Sequence, residues 1–358
     1  QTGRILSNNM LILSETDVRR CFPVSAAIAA NCKALGSLRK NEDGGAMVPT
    51  RIGLPYNAPA DSIGGDSMSP ADWSLFKPAA YYPQQQKEDD EILMGMKLVS
   101  TRANNPAKFN KPTVPATIMM VNAETGEVSA VVAATYLTAA RTAAGSALAT
   151  EMALKNKHEK TSDGLVLVVF GAGLQAELHI KCIQHVVNIA KLVIVNRSIG
   201  RAEKLREMLL NERQRNSDSK TQTPMTDITI RKLSDEEGVR AAVESADVIA
   251  TTTNACTPLF NGEWLKPGCH INGVGSYTPL MQEVDNALVQ RCEILIDTKE
   301  ALDVGDLSCL RHERDSKSSN MIGLIGDALV GNISLGAQRD DHSIRIDCTF
   351  FKSVGTAI

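Results

Sequence analysis

The sequence carries no excess of either charge: 38 lysines and arginines stand against 41 aspartates and glutamates in 358 residues, a formal net charge of -3. With no basic surplus to neutralise a phosphate backbone, nucleic acid is not an expected partner. No apolar run approaches the ~20 residues that a bilayer-spanning helix needs, so no membrane association is expected. The eight cysteines, at 21, 32, 182, 256, 269, 292, 309 and 348, include no C-x-x-C pair, and neither they nor the six histidines cluster at metal-ligand spacing. No metal is therefore expected, and most of the cysteines lie in apolar segments, as free thiols in a reducing compartment do. No signal-like apolar core follows Gln1. A cytoplasmic protein is expected, with a removed targeting segment left open.

What is present is organised around one stretch. Leu165 to Phe170 is a run of six apolar residues, the pattern of a strand buried on both faces. Gly171-Ala172-Gly173-Leu174-Gln175-Ala176 follows, and the apolar spacing then turns helical at Ile180, Ile183, Val186 and Val187. Strand, tight turn and helix in that order form a G-x-G-x-x-A pattern. The first glycine permits the turn, the second lets backbone approach a pyrophosphate, and the small third residue packs helix on strand. The helix N-terminus adds free N–H groups and partial positive charge.

A second strand, Lys191 to Val195, ends on Asn196-Arg197-Ser198. This is near the ~20-residue distance at which a side chain reads the ribose. No acid stands there. A carboxylate would accept from a free 2′-OH, whereas an arginine with polar neighbours suits a 2′-phosphate. The cofactor expected is therefore NADP(H), with NAD(H) second.

Length allows a large core and two domains. Strand-like runs at 228–230, 248–253, 270–275 and 294–297 alternate with helical stretches, which predicts an α/β doubly wound parallel sheet. Such sheets bind ligands at strand carboxyl ends, here Thr252-Thr253-Asn254 and Val274-Gly275. The polar stretch 211–226 predicts an exposed loop, and 56–73 another. Before the glycine turn, Ser14 to Asp17 signals a helix start, Pro23 kinks or restarts that helix, and 47–55 reads as extended. Strands over 73–80 and 92–100 and a hairpin over 113–132 predict an α+β region with a mostly antiparallel sheet. A helix from 138 to 155, dense in small residues, carries Arg141 and Thr142.

Several ordered stretches together resemble the ornithine cyclodeaminase/mu-crystallin family. They are Val48-Pro-Thr-Arg51, Gly95-Met-Lys97-Leu-Val, Thr113-Val-Pro-Ala, Leu137-Thr-Ala-Ala-Arg141-Thr-Ala-Ala, the glycine turn, Gly273-Val-Gly-Ser-Tyr-Thr-Pro279 and Phe351-Lys-Ser-Val-Gly355. The resemblance implies a substrate-binding and dimerisation domain from residues 1–140 and 330–358, with a Rossmann-type NADP(H)-binding domain over 141–329. It implies that Arg51, Lys97 and Arg141 hold a substrate carboxylate, that Thr113 is a substrate-side polar group, and that Thr142 and Ser353 lie on the cofactor side. It also implies a homodimer through the N-terminal sheet, for which the edge of the 113–132 hairpin supplies a motive.

Two departures separate the chain from the cyclodeaminases of that family. These carry an aspartate two residues past the Val-Gly, where this sequence has Tyr277, and a glutamate before a Met-Pro, where it has Leu75-Phe-Lys-Pro78. Redox-neutral ring closure of ornithine loses its expected acid and base. Reduction of a cyclic imino acid such as pyrroline-2-carboxylate or piperideine-2-carboxylate needs only a hydride and a proton, with Lys97, close to other cations, expected to have a lowered pKa and to act as the catalytic group. Ornithine cyclodeaminase, an amino-acid dehydrogenase, and a mu-crystallin-like NADPH-dependent small-ligand binding protein are the alternatives.

Overall fold

The computed structural model describes residues 4–6, 10–38, 45–56, 72–83, 91–155, 164–215, 227–312, 321–333, 335 and 346–357. Two compact units emerge: Gln1–Ala139 with Thr356–Ile358, and Ala140–Gly355.

The first unit begins with β1 (Arg4–Leu6) and β2 (Met10–Leu13), then α1 (Glu15–Cys21) and α2 (Val24–Gly36). Ser14 starts α1 through a capping box: its side chain accepts from the Asp17 N–H, and the Asp17 carboxylate accepts from the Ser14 N–H at 3.0 Å. Pro23 occupies the N-cap of α2, where its missing N–H costs nothing, so the helix restarts there. The sheet adds β3 (Ala46–Met47), β4 (Ile52–Pro55), β5 (Asp72–Tyr81), β6 (Leu93–Arg102), and, after α3 (Asn105–Phe109), β7 (Ala116–Val121) and β8 (Val128–Ala133). Strand order is β1-β2-β8-β7-β6-β5-β3, with β4 also on β5, and every pair is antiparallel except β2 with β8.

That order corrects the motive for assembly. β7 pairs with β6 and β8 with β2, so both outer edges of the hairpin are already covered. What the sheet leaves open is a face: Ile52, Leu54 and Leu98 are exposed. Ile52, Phe76 and Leu98 share one cross-strand row.

α4 (Thr135–Leu154) leads into the second unit, followed by β9 (Leu165–Phe170), α5 (Leu174–Val186), β10 (Ile189–Asn196), α6 (Ile199–Arg215), β11 (Asp227–Lys232), α7 (Glu236–Ser245), β12 (Val248–Thr251), β13 (His270–Gly273), α8 (Asn286–Gln290), β14 (Cys292–Ile296), β15 (Met321–Leu324), α9 (Ile325–Leu329) and β16 (Cys348–Lys352). The eight strands are parallel throughout, in the order β11-β10-β9-β12-β13-β16-β14-β15. Alternate residues of β9 feed two cores. Leu165, Leu167 and Val169 pack with Ala176, Ile180 and Ile183, while Val168 and Phe170 pack with Val243, Ile271 and Phe350. The stretch predicted as a loop from 211 is still helical to Arg215, because Glu212 on α6 pairs with Lys181 on α5 at 2.8 Å. No helix among the described residues is long and apolar enough to cross a membrane.

The tail is a second correction. Residues 330–358 were expected to rejoin the first unit, but β16 lies inside the parallel sheet between β13 and β14, and only Thr356–Ile358 belongs with the first unit. The physical reason is in the strand: Phe350 and Phe351 point to opposite faces and are each 1% exposed, so β16 needs cover on both sides.

Two buried histidines set a pH limit on this unit. His179 lies between Ser146 Oγ (3.0 Å) and the Gln175 carbonyl (2.7 Å), and His270 between Thr349 Oγ1 (2.8 Å) and Asn272 Oδ1 (3.2 Å). Burial pushes each imidazole down to about 4 from 6.5. A depressed folded-state pKa gives stability that is complete above the unfolded value and lost as pH falls through the folded one. Thermal unfolding followed from pH 7 to 4 is expected to show a midpoint falling below pH 6.5, with roughly 3 kcal/mol at stake per histidine. His179→Gln is expected to flatten that fall, and an unchanged slope would remove His179 from the account.

Candidate active site

In the second unit the glycine turn is built by contact and by backbone conformation together. Gly171 has φ +117° and donates its N–H to the Val195 carbonyl at 2.9 Å. A Cβ there would run into Thr252 Oγ1. Thr252 is itself fixed, since its N–H and hydroxyl both donate to the Phe170 carbonyl, at 2.9 and 2.8 Å. Gly173 is the N-cap of α5, in extended conformation, exposed and without a side-chain cap; nothing lies within 4 Å of where its Cβ would be. Ala172 and Leu174 are half-buried, Ala176 is fully buried, and Gln175 Oε1 is buried without a hydrogen-bond partner.

This arrangement fits a dinucleotide. A helix of 13 residues opens onto free space at the one position where the backbone is bare, and its first N–H groups have no side-chain acceptor. Across that opening, β10 and β12 flank β9 and their ends reach toward each other. Asn196 Nδ2 donates to the Ser198 carbonyl at 2.8 Å, shaping the turn, and exposed Arg197 extends Nη2 to Asn254 Oδ1 at 3.5 Å. The residues that would hold the cofactor are therefore the 171–176 turn, Asn196 to Ser198, and Thr252 to Asn254.

The loop after β13 is held from below by Glu283, which sequence reasoning missed. Its buried carboxylate accepts from Thr251 Oγ1 (2.8 Å), Thr253 N (2.6 Å), Thr253 Oγ1 (2.7 Å) and Gly275 N (2.7 Å). Gly275 must be glycine, because a Cβ would strike the Thr253 carbonyl and Glu283. Val274 is buried and donates its N–H to Thr251 O at 3.0 Å. Beneath Glu283, its own N–H donates to Asp306 Oδ1 (2.6 Å), and Asp306 Oδ2 accepts from Lys352 Nζ (2.8 Å), both side chains fully buried. Burial pushes the Glu283 carboxyl up, with Asp306 adding to this, while Lys352 and Thr253 pull it back.

Arg141 and Ser353 lie about Asp297, which follows the carboxyl end of β14. Asp297 Oδ2 accepts from Ser353 Oγ and Gly355 N, both at 2.7 Å, and Oδ1 from Thr298 N at 2.8 Å. Gly355 has φ +82°, and the Arg141 guanidinium fills the space where its Cβ would go. Burial lowers the Arg141 pKa, and the Asp297 charge opposes it. The Ser353 hydroxyl is thus engaged with Asp297, while Thr142 is buried on α4.

In the first unit, register sets the predicted Lys97 against a second lysine and separates Thr113 from it. Lys97 on β6 lies opposite Lys77 on β5. Arg51 directly precedes β4, whose Ile52 pairs with Phe76, so it stands next to the end of the Lys77–Lys97 row. Lys77 and Lys97 are 6% and 5% exposed. Thr113 is not part of it. It is exposed, and its carbonyl accepts from Arg102 N at 2.8 Å, five positions along β6 from Lys97 and roughly 17 Å away at strand rise.

The sequence profile of the Ornithine cyclodeaminase/mu-crystallin family matches residues 81–358. An uncharacterized cyclodeaminase of Dictyostelium discoideum is 31% identical over 361 residues, 98% of this chain and 93% of the relative. A Delta(1)-pyrroline-2-carboxylate reductase of Bacillus cereus is 31% identical over 268 residues, 74% of this chain and 73% of the relative. Among solved structures, Delta(1)-pyrroline-2-carboxylate reductase of Thermococcus litoralis, in complex with NADH and L-proline, superposes with a TM-score of 0.76 at 24% identity, covering 97% of this chain and 92% of that one.

The Lys352–Asp306 pair gives a test of how the loop is held. Removing one partner of a buried ion pair leaves the other uncompensated. Lys352→Met is expected to cost about 3–5 kcal/mol in urea unfolding, and Asp306→Asn added to it is expected to restore most of that loss.

Proposed function

The chain belongs to the ornithine cyclodeaminase/mu-crystallin family, and on that footing we propose that it is a nicotinamide-dependent reductase of cyclic imino acids, making proline or pipecolate from pyrroline-2-carboxylate or piperideine-2-carboxylate. The observation that carries this is the loop after β13. Where cyclodeamination needs a base for the substrate amine stands Tyr277, and a phenol, a group that ordinarily ionises at about pH 10, is a poor base at neutral pH. The neighbouring carboxylate, Glu283, cannot take over: it is buried and receives four hydrogen bonds from the very loops it supports. The Bacillus cereus reductase, with its named activity, supports the same reading.

A nicotinamide cofactor held by the 171–176 turn, Asn196 to Ser198 and Thr252 to Asn254 would supply the hydride for the C=N carbon. Lys97 gives a proton to the imine nitrogen, so one C–H and one N–H bond form as the double bond becomes single. Arg51 and Arg141 are assigned carboxylate binding by family resemblance; charge-assisted donors fix the imine before attack. The absence of any acid at Asn196-Arg197-Ser198, with Arg197 exposed, supports NADPH over NADH. Steady-state assays are expected to show imino-acid reduction far exceeding ammonia release from ornithine, and NADPH preferred. Lys97→Met should lower kcat more than NADPH affinity, and Arg197→Asp should narrow or invert the cofactor preference. Ammonia release matching imine reduction would return the chain to the cyclodeaminases.

The open apolar face of the first sheet supports a homodimer, since Ile52 (62% exposed) and Leu54 (53%) are large side chains left in water by a single copy. Light scattering at micromolar concentration is expected to give twice the chain mass of 38.5 kDa, and Leu54→Lys to shift it toward one.

A further inference from the structure

The hydrogen bonds that Glu283 receives are divided between two loops. Oε1 accepts from the N–H and the hydroxyl of Thr253, in the loop after β12, at 2.6 and 2.7 Å. Oε2 accepts from the Thr251 hydroxyl at 2.8 Å and from the Gly275 N–H, in the loop after β13, at 2.7 Å. The ladder between β12 and β13 ends at Thr251 and Gly273. Beyond it, the buried carboxylate is an acceptor that Thr253 and Gly275 share.

Both loops lie past the point where strand order reverses, between β9 and β12. In a doubly wound sheet each half takes one mononucleotide. The glycine turn and Asn196 to Ser198 belong to the half built on β9 and β10, which takes the adenosine part, and this leaves the nicotinamide part for the ends of β12 and β13. Thr252, between the two threonines that face Glu283, turns the other way. Its N–H and hydroxyl hold the Phe170 carbonyl at 2.9 and 2.8 Å, so the contact with the glycine turn does not pass through Glu283.

We propose that Glu283 is a positioning residue for the nicotinamide half of the cofactor, setting the loops after β12 and β13 at the spacing that half requires and leaving the adenosine half to the glycine turn. This rests on the second unit being the seat of a nicotinamide dinucleotide. The chemistry of the side chain matters as much as its shape. Glutamine has the same size, but its amide carries donors on one side. Turned one way, it sets an N–H against the Thr253 N–H; turned the other, against the Gly275 N–H. A threonine hydroxyl can switch from donor to acceptor, and a backbone N–H cannot. One loop is therefore pushed off the side chain in either orientation, and Gly275 falls back on the Thr251 carbonyl at 3.2 Å.

The test compares each dinucleotide with its own adenosine part, NADPH with 2′,5′-ADP and NADH with ADP, by calorimetric titration of the whole chain. Glu283→Gln is expected to weaken dinucleotide binding about tenfold, the worth of one hydrogen bond, while the fragment stays within about threefold. General loosening of the fold would weaken both alike, so the ratio of the two affinities isolates the positioning. Thr251→Val removes one hydroxyl from Oε2 and turns no donor against a backbone N–H. It is expected to move the same ratio about threefold, and it carries the test where Glu283→Gln does not fold. Equal weakening of dinucleotide and fragment, or an unmoved ratio, overturns the proposal and leaves the cofactor reading in place. A parent chain that bound neither dinucleotide would overturn the cofactor reading, and the proposal with it.

Discussion

The ion pair between Lys352 and Asp306 is the constraint on which the second unit depends. Both side chains are wholly buried, and a charge so placed is tolerable only with its partner and a full set of hydrogen bonds. Asp306 meets that condition by accepting from the Glu283 and Val284 N–H groups as well as from Lys352. Glu283 in turn fixes Thr251, Thr253 and Gly275. The loops at the carboxyl ends of β12 and β13 are thereby set by a chain of charges that begins on β16. An apolar core could stabilise the same strands, but it could not aim four backbone and hydroxyl groups at one carboxylate.

Much of this unit is legible in the sequence, because its signals are local. The switch from a continuous apolar run to helical spacing at Gly171 marks β9 and α5, and the polar Asn196-Arg197-Ser198 marks the end of β10. The Glu283 network is not legible for the opposite reason. Asp306 and Lys352 are 46 residues apart, and a lone glutamate between Gln282 and Val284 carries no sign that it will be buried. The tail misled more simply: its strand character was plain, but strand character does not say which sheet accepts it. The adjacent phenylalanines, one for each face, are the signal that could have decided it.

In the first unit the individual residues were legible and their alignment was not. Lys77 and Lys97 come from two strands, and only the register of β5 on β6 sets them opposite each other. A one-residue slip there would turn one of them to the opposite face, the side that carries Phe76 and Leu98. Apolar patterning on that face and charge placement on this one therefore specify the same register. Thr113 shows the limit of motif position as a guide, because a residue can belong to a recognisable stretch and still lie several strand positions from the others.

The position of β16 bears on how the molecule is made. Among the described residues, β14 and β15 join the rest of the parallel sheet through it, although every other strand of the sheet precedes it in the sequence. As the chain leaves the ribosome, β9 to β13 can pair as they emerge, but β14 and β15 must wait beside an open edge until β16 arrives to sit between them. The growing chain thus carries two sheet fragments with unpaired backbone until β16 pairs, and parallel pairing across such sequence distances is slow. Synthesis of this protein should accordingly lean on chaperones until its last strand is in place.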